Sequence, residues 1–292
     1  MSLPPPPASF DLLDADAAGA VVMSVPHAGR DYSPAMLAML RPPPDRLAAL
    51  EDRRIDEVAR AVAGIPMLIA RRPRLWIDLN RAETEIDPEM IAPHTIGTDD
   101  HGLIGGFTLS PKVRSGLGLV PRRLHGLGEL WTGRLNAADI ARRIAEDHRP
   151  YHAALAALVA RARARHGCAV LVDLHSMPPL AGAEPPRLVI GTRHGATCHR
   201  AFVAPVIAAA ARAGLSWREN HPYAGGHVIE RHGDPRRGVH AIQIELDRSL
   251  YLDAALDRCD PAGLKRVQDF VRDMIAGLEA AIPRAPFAVA AE

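Results

Sequence analysis

The sequence predicts a single α/β domain built on a mixed, mainly parallel sheet. Three observations predict it. Short runs of Val, Ile and Leu, each of strand length, recur between Ala20 and Leu246. Segments with helical spacing separate them, which fits crossover connections better than hairpins. The run from Ala169 to Leu174 is almost continuously apolar, the pattern of a strand buried on both faces. At 292 residues and 48% hydrophobic content the chain has material for a sizeable core. No internal repeat or linker divides it, so one domain over residues 1–292 is expected.

Taken in order, residues 1–9 are Pro-rich and read as a loose arm. Ala20 to Val25 is a short strand that delivers Pro26-His27-Ala28-Gly29-Arg30 at its end. After Pro42-Pro43-Pro44, apolar residues from Asp45 to Ala63 fall at helical spacing, which places Asp52 and Asp56 on one helix face. Met67 to Ala70 and Arg74 to Asn80 read as strands, the second opening into Arg81. Residues 82–136 hold many Gly and Pro, and the Gly-rich part, 97–133, is expected to be an insertion over the functional site.

Asn136 reads as the N-cap of a long helix from Ala137 to about Arg165, interrupted near Pro150. Ala169 to Pro179 is the central strand, ended by two prolines, with His175 at its carboxyl end. Leu188 to Ile190 is a strand leading into Arg193, and Ala201 to Ala213 a helix stopped by Gly214. A loop over 220–227 precedes a strand from Val239 to Leu246, and a helix over 261–282 closes the domain.

Composition narrows the function classes. Net charge is +1, with 35 basic residues scattered among 34 acidic ones, so nothing marks a nucleic-acid partner. Neither a signal peptide nor a membrane span is visible, and a cytoplasmic protein is expected. Three cysteines without CxxC spacing suggest neither a disulfide framework nor a cysteine metal site. The sequence leaves the oligomeric state open, a homo-oligomer included.

No nucleophile elbow, dinucleotide fingerprint or phosphate loop is present. What remains is a set of polar residues at strand ends: His27, Asp52 and Asp56, the Asp78-Leu79-Asn80-Arg81 segment, His175, Arg193 and Glu245. Two imidazoles and a carboxylate, with a fourth position for water, are the ligands of a hydrolytic zinc site. A further carboxylate then manages the proton, and Glu245, set in an apolar strand, is the candidate. The plain alternative is that Asp52 and Asp56 form a solvated face paired with arginines. Other histidines, among them His194, His221, His227 and His240, are expected at the surface or in the core.

Six motifs sharpen this reading: Val25-Pro26-His27-Ala28-Gly29, the Asp52-to-Asp56 segment, Ile77-Asp78-Leu79-Asn80-Arg81, Val172 to Met177, Tyr223-Ala224-Gly225-Gly226 and Gln243-Ile244-Glu245-Leu246. Their order resembles that of N-formylglutamate amidohydrolases, over nearly the whole chain. The resemblance implies a three-layer, zinc-carboxypeptidase-like (phosphorylase/hydrolase-like) fold shared with the aspartoacylase group. It also implies one zinc ion and hydrolysis of N-formyl-L-glutamate to formate and L-glutamate in histidine degradation. By the resemblance His27 and His175 are metal ligands and Glu245 activates the water. Asn80 and Arg81 clamp a substrate carboxylate, for which a planar guanidinium is suited.

Arg74 is a weaker candidate for the oxyanion, and Arg193 for the second carboxylate. The carboxypeptidases take a glutamate ligand three residues after the first histidine, where this chain has Arg30. The third ligand is therefore expected from Asp52 or Asp56, with Asp56 placed marginally first. Two other readings compete: a relative that removes another acyl group from an N-acyl amino acid or cleaves a peptide end, and a non-catalytic binder of acidic metabolites.

Overall fold

Nine strands form among the described residues, and β2, β3, β6 and β7 fall on the apolar runs. The structure, a computed structural model, describes residues 9–93 and 106–283. Apart from Ser9, the expected arm lies outside the described residues, as does the part of the Gly-rich segment over 97–105. The strands are β1 (Phe10–Leu13), β2 (Val21–Val25), β3 (Met67–Ala70), β4 (Arg123–Leu124), β5 (Gly128–Glu129), β6 (Ala169–Met177), β7 (Leu188–Gly191), β8 (Trp217–Glu219) and β9 (Val239–Asp247). Seven make one sheet in the order β1-β3-β2-β6-β9-β7-β8, and β4 pairs only with β5. The pairs β2–β6, β6–β9 and β7–β8 are parallel, and β7 runs antiparallel to β9. This is the mixed, mainly parallel α/β sheet expected.

The helices are α1 (Pro34–Leu37), α2 (Ile55–Ala59), α3 (Pro111–Arg114), α4 (Ala137–Arg143), α5 (Arg149–His166), α6 (Arg200–Arg212), α7 (His227–His232) and α8 (Pro261–Ala280). Among the described residues none is long and apolar enough to cross a membrane.

Two compact units can be distinguished. Among the described residues, one draws on 9–11, His27–Glu51, 69–93 and 106–153, and the other on Leu12–Pro26, Asp52–Leu68 and 154–283. In the second unit β6 and β9 are buried along their whole length, their polar residues included. Helix α8 places Val267, Phe270, Val271, Met274, Ile275 and Leu278 on one buried stripe. Its Glu279 carboxylate accepts the backbone N–H groups of Val21 at 2.8 Å and Ala20 at 3.2 Å, at the entry to β2.

The first unit departs from expectation at one segment. Arg74 to Asn80 is not a strand. Trp76 N–H bonds Pro73 C=O at 2.8 Å, and the Asp78 carboxylate accepts Asn80 N–H at 2.9 Å, so local turns take the groups that a ladder would use. The long helix is interrupted near Pro150, as expected. A π-helical turn, Ile144–His148, joins α4 to α5, and Arg149 N–H reaches Ile144 C=O. The wider turn meets the problem that Pro150 sets, a ring that clashes one turn back and no N–H to donate.

Asp45 to Ala63 is also not one helix. A 3-10 turn over Pro44–Leu50 ends at extended Glu51, and α2 starts only after Arg54, which is left-handed with φ 59°. The break separates Asp52 from Asp56.

Candidate functional site

Parallel strands end their polar residues at one edge, and β6 shows how. Ser24 of β2, Asp173 of β6 and Gln243 of β9 stand in register, and His175 of β6 is in register with Glu245 of β9. All are buried. Ser24 Oγ donates to Asp173 at 2.9 Å, and Gln243 Nε2 donates to Glu245 Oε1 at 2.8 Å. The row lies in the carboxyl half of each strand, where open α/β sheets bind ligands.

His175 sits between two carboxylates. Its Nε2 is 2.8 Å from Asp173 Oδ2 and its Nδ1 2.9 Å from Asp52 Oδ2. Burial opposes a charge on the ring, but Asp173, Asp52 and Glu245 outweigh it and hold the imidazole well above its usual range. Asp52 is placed by the break before α2, where it also accepts Ser176 N–H at 3.1 Å and Arg248 Nη2 at 3.3 Å. Arg248 is buried and donates through Nε to Ser176 Oγ at 3.1 Å. Asp56 lies half-buried on α2 and stands outside this group. Of the two aspartates, Asp52 is the one against His175.

In the first unit His27 leads away from β2 and meets the Asp78 segment. Its Nε2 is 2.7 Å from Asp78 Oδ1, and Asp78 Oδ2 accepts Arg74 Nε at 2.8 Å. Asp78 is fully buried. Burial alone would raise its pKa, yet Arg74, His27 and Arg81 hold it well below the usual carboxylate range. Arg81 is fixed on two sides, Nε to Leu117 C=O at 3.1 Å and Nη1 to Asn80 C=O at 2.9 Å. Its fork is thus aimed before any substrate arrives. Arg193 is elsewhere: it follows β7 in a left-handed conformation and pairs with Glu230 at 2.6 Å, partly exposed.

Each histidine therefore turns one ring nitrogen to a carboxylate that orients it, Asp173 for His175 and Asp78 for His27. This is the carboxylate–histidine arrangement of metal ligands. His175, held as an imidazolium, donates through Nδ1 to Asp52 and through Nε2 to Asp173, so a proton stands between Nδ1 and the Asp52 carboxylate. A divalent ion can replace that proton, with Nδ1 and the Asp52 carboxylate as donors, so the residues present fit one.

Sequence reasoning missed Arg248, which looks like any surface arginine after a strand, and gave no task to Asp173 or Asp78. The signal for Asp173 was present. Two residues before His175 on a strand, it had to share its face.

Comparison with known proteins gives a consistent result. The sequence pattern of the N-formylglutamate amidohydrolase family matches residues 19–252. An N-formylglutamate deformylase of Pseudomonas aeruginosa is 31% identical over 244 residues, covering 80% of this chain and 82% of that protein. One from Pseudomonas putida is 30% identical over 248 residues, with the same coverage. The crystal structure of N-formylglutamate amidohydrolase from Ralstonia eutropha JMP134 superposes with TM-score 0.82 at 29% identity, over 94% of this chain and 97% of that one.

Proposed function

Because the chain belongs to the N-formylglutamate amidohydrolase family, we propose that it is a zinc-dependent hydrolase that splits N-formyl-L-glutamate into formate and L-glutamate, in the cytoplasm and in the service of histidine degradation. The observation that supports the metal-dependent reading is His175 Nδ1 at 2.9 Å from Asp52 with Nε2 at 2.8 Å from Asp173, a buried donor set in which a metal ion can take the place of the shared proton.

His27, Asp52 and His175 are the proposed ligands, side chains of the kinds that hold such an ion. Once bound, zinc supplies Lewis acidity, bringing the pKa of water toward about 7 and polarising the formyl carbonyl. The remaining work falls to the chain's own groups. Glu245 takes a proton from the attacking water. As the C–N bond breaks, it returns the proton to the departing amine, releasing formate and L-glutamate. Gln243 donates to Oε1 of Glu245 at 2.8 Å, which orients the proposed basic carboxylate.

Asn80 and Arg81 are the proposed carboxylate clamp, and their fixed geometry lowers the ordering cost of binding. Arg74, whose Nε donates to Asp78 at 2.8 Å, is the proposed partner of the oxyanion. Arg193 is the proposed partner of the second carboxylate, which would have to displace Glu230. The 106–133 part of the Gly-rich segment backs the clamp through Leu117, and it is the proposed place to look for acyl selectivity.

Two paired measurements test the proposal: metal content of the purified protein, and formate release from N-formyl-L-glutamate before chelation, after it and after zinc return. About one zinc per chain, with activity lost and restored, is expected for a single catalytic site. Zinc without formate release would discard this substrate. Formate release unaffected by chelation would discard the metal.

A further inference from the structure

The helical run from α4 to α5 carries four residues whose contacts converge on the segment holding Asn80 and Arg81. Arg143 lies with its guanidinium 3.6 Å from the centroid of the Trp76 ring and donates through Nη1 to Trp76 C=O at 3.0 Å. Asp147 accepts Trp76 Nε1–H at 2.8 Å. His148 Nε2 is 2.8 Å from Arg81 C=O, and His152 Nε2 is 2.9 Å from Leu79 C=O. The two rings abut at 4.4 Å and are buried. Three carbonyls of one short segment, those of Trp76, Leu79 and Arg81, are thus taken by side chains of a single helical run.

Residues 75–81 form turns, not a strand, so no neighbouring strand takes these carbonyls. A buried carbonyl left without a donor costs about 1–3 kcal/mol, and an unrestrained one lets its peptide rotate. Because a carbonyl only accepts, both Nε2 atoms must carry the proton, and the geometry fixes the tautomer. The π-helical turn Ile144–His148 has a consequence here. The turn itself carries Asp147 and His148, and its extra residue shifts the register of His152 beyond it, so that all three bear on the same segment as Arg143.

We propose that His148 and His152 are positioning residues that set the backbone of Leu79–Arg81 and through it the direction of the Asn80 and Arg81 side chains. The inference rests on reading Asn80 and Arg81 as the carboxylate clamp. It adds the reason the clamp holds its aim: Arg81 is tied to the backbone of Asn80, and the carbonyls on either side of that residue are held by the two histidines.

The test uses the full-length, zinc-loaded protein with His148→Phe and His152→Phe, which keep a ring but lose the donor, and His148→Gln and His152→Gln, which restore one. Each Phe variant should raise KM for N-formyl-L-glutamate about tenfold with kcat within about threefold. Each Gln variant should recover most of the loss. In an Arg81→Ala background the Phe substitutions should change KM less than twofold, because the residue they act through is gone.

An unchanged KM, or an equal loss with and without Arg81, overturns the inference. If the Phe variants do not fold, nitrogen-15 NMR of the wild type decides: both rings must carry a proton on Nε2, and a ring whose Nε2 is unprotonated overturns it. Failure of the functional reading is seen separately. Wild-type protein that neither releases formate nor binds L-glutamate by calorimetry refutes the clamp itself. Wild-type turnover with unaffected Phe variants refutes only the role of the histidines.

Discussion

Asp78→Asn is the substitution whose cost can be worked most fully from contacts. Oδ1 of Asp78 accepts two groups, His27 Nε2 at 2.7 Å and Asn80 N–H at 2.9 Å, and an asparagine carbonyl oxygen can keep both. Oδ2 accepts Arg74 Nε at 2.8 Å and lies 3.9 Å from Arg81. In the variant an NH2 group would stand there, a donor facing a donor. One charge-assisted hydrogen bond is lost, worth about 1.5–3 kcal/mol, and Arg74 loses its buried counter-charge.

Arg74 is partly exposed, so solvent moderates that second loss, and we expect about 2–4 kcal/mol of destabilisation in all. His27 keeps its hydrogen bond but loses the negative charge behind it, which should weaken zinc binding roughly 10- to 100-fold. Denaturant unfolding gives the first quantity, and competition with a chromophoric chelator gives the second. Stability within about 0.5 kcal/mol of wild type, together with unchanged zinc affinity, would refute the reasoning.

Three further outcomes are expected. Glu245→Gln should leave zinc content intact while lowering kcat for formate release by about 10²–10⁴, the usual worth of a general acid–base group; near-normal turnover would remove Glu245 from the mechanism. Gly29→Ala should destabilise strongly, since a Cβ would lie 1.9 Å from the backbone oxygen of Arg72 and the chain beside His27 must move; a wild-type melting temperature would show that the approach is looser.

His240, buried and beside His199, has its pKa pushed down from 6.5 to about 4. The unfolded chain therefore binds the extra proton between those values, so stability is undiminished above pH 6.5 and falls as pH drops toward 4, by roughly 3 kcal/mol. His240→Gln, which can still accept His199 N–H, should flatten that limb. An unaltered slope would place the titration elsewhere.

Much of this was legible in the sequence, for identifiable reasons. Strands β3 and β7 and the amino half of β6 were readable because strands buried on both faces need uninterrupted apolar runs, and β9 by its alternation of Ala241, Gln243 and Glu245 with Ile242, Ile244 and Leu246. Helices α6 and α8 carry caps and a regular stripe. The misread stretches are those where side chains replace the ladder. Arg74 to Asn80 has strand-like residues, but Asp78 captures its own backbone. Asp45 to Ala63 has helical spacing, but Asp52 is held away from a helix by His175 and Ser176, and Arg54 turns the chain the wrong way for one.

At the site, His27, His175, Glu245 and Arg81 stood out by chemistry and resemblance. Arg248 did not, because its partner Asp52 is 196 residues away and no local pattern announces such a pair.

The polar row across the sheet divides each central strand along its length. The amino half of β6 is Ala-Val-Leu-Val, whereas its carboxyl half carries Asp173, His175 and Ser176; in β9 the carboxyl half carries Gln243, Glu245 and Asp247. One half is held by dispersion and the exclusion of water, the other by a closed set of donors and acceptors with an excess of negative charge. Amide protons should report the difference. Exchange at Val170 to Val172 should follow global unfolding, while exchange at Leu174 to Met177 should proceed through smaller openings that a bound cation suppresses. The two central strands would then owe their amino halves to folding and their carboxyl halves to what the protein binds.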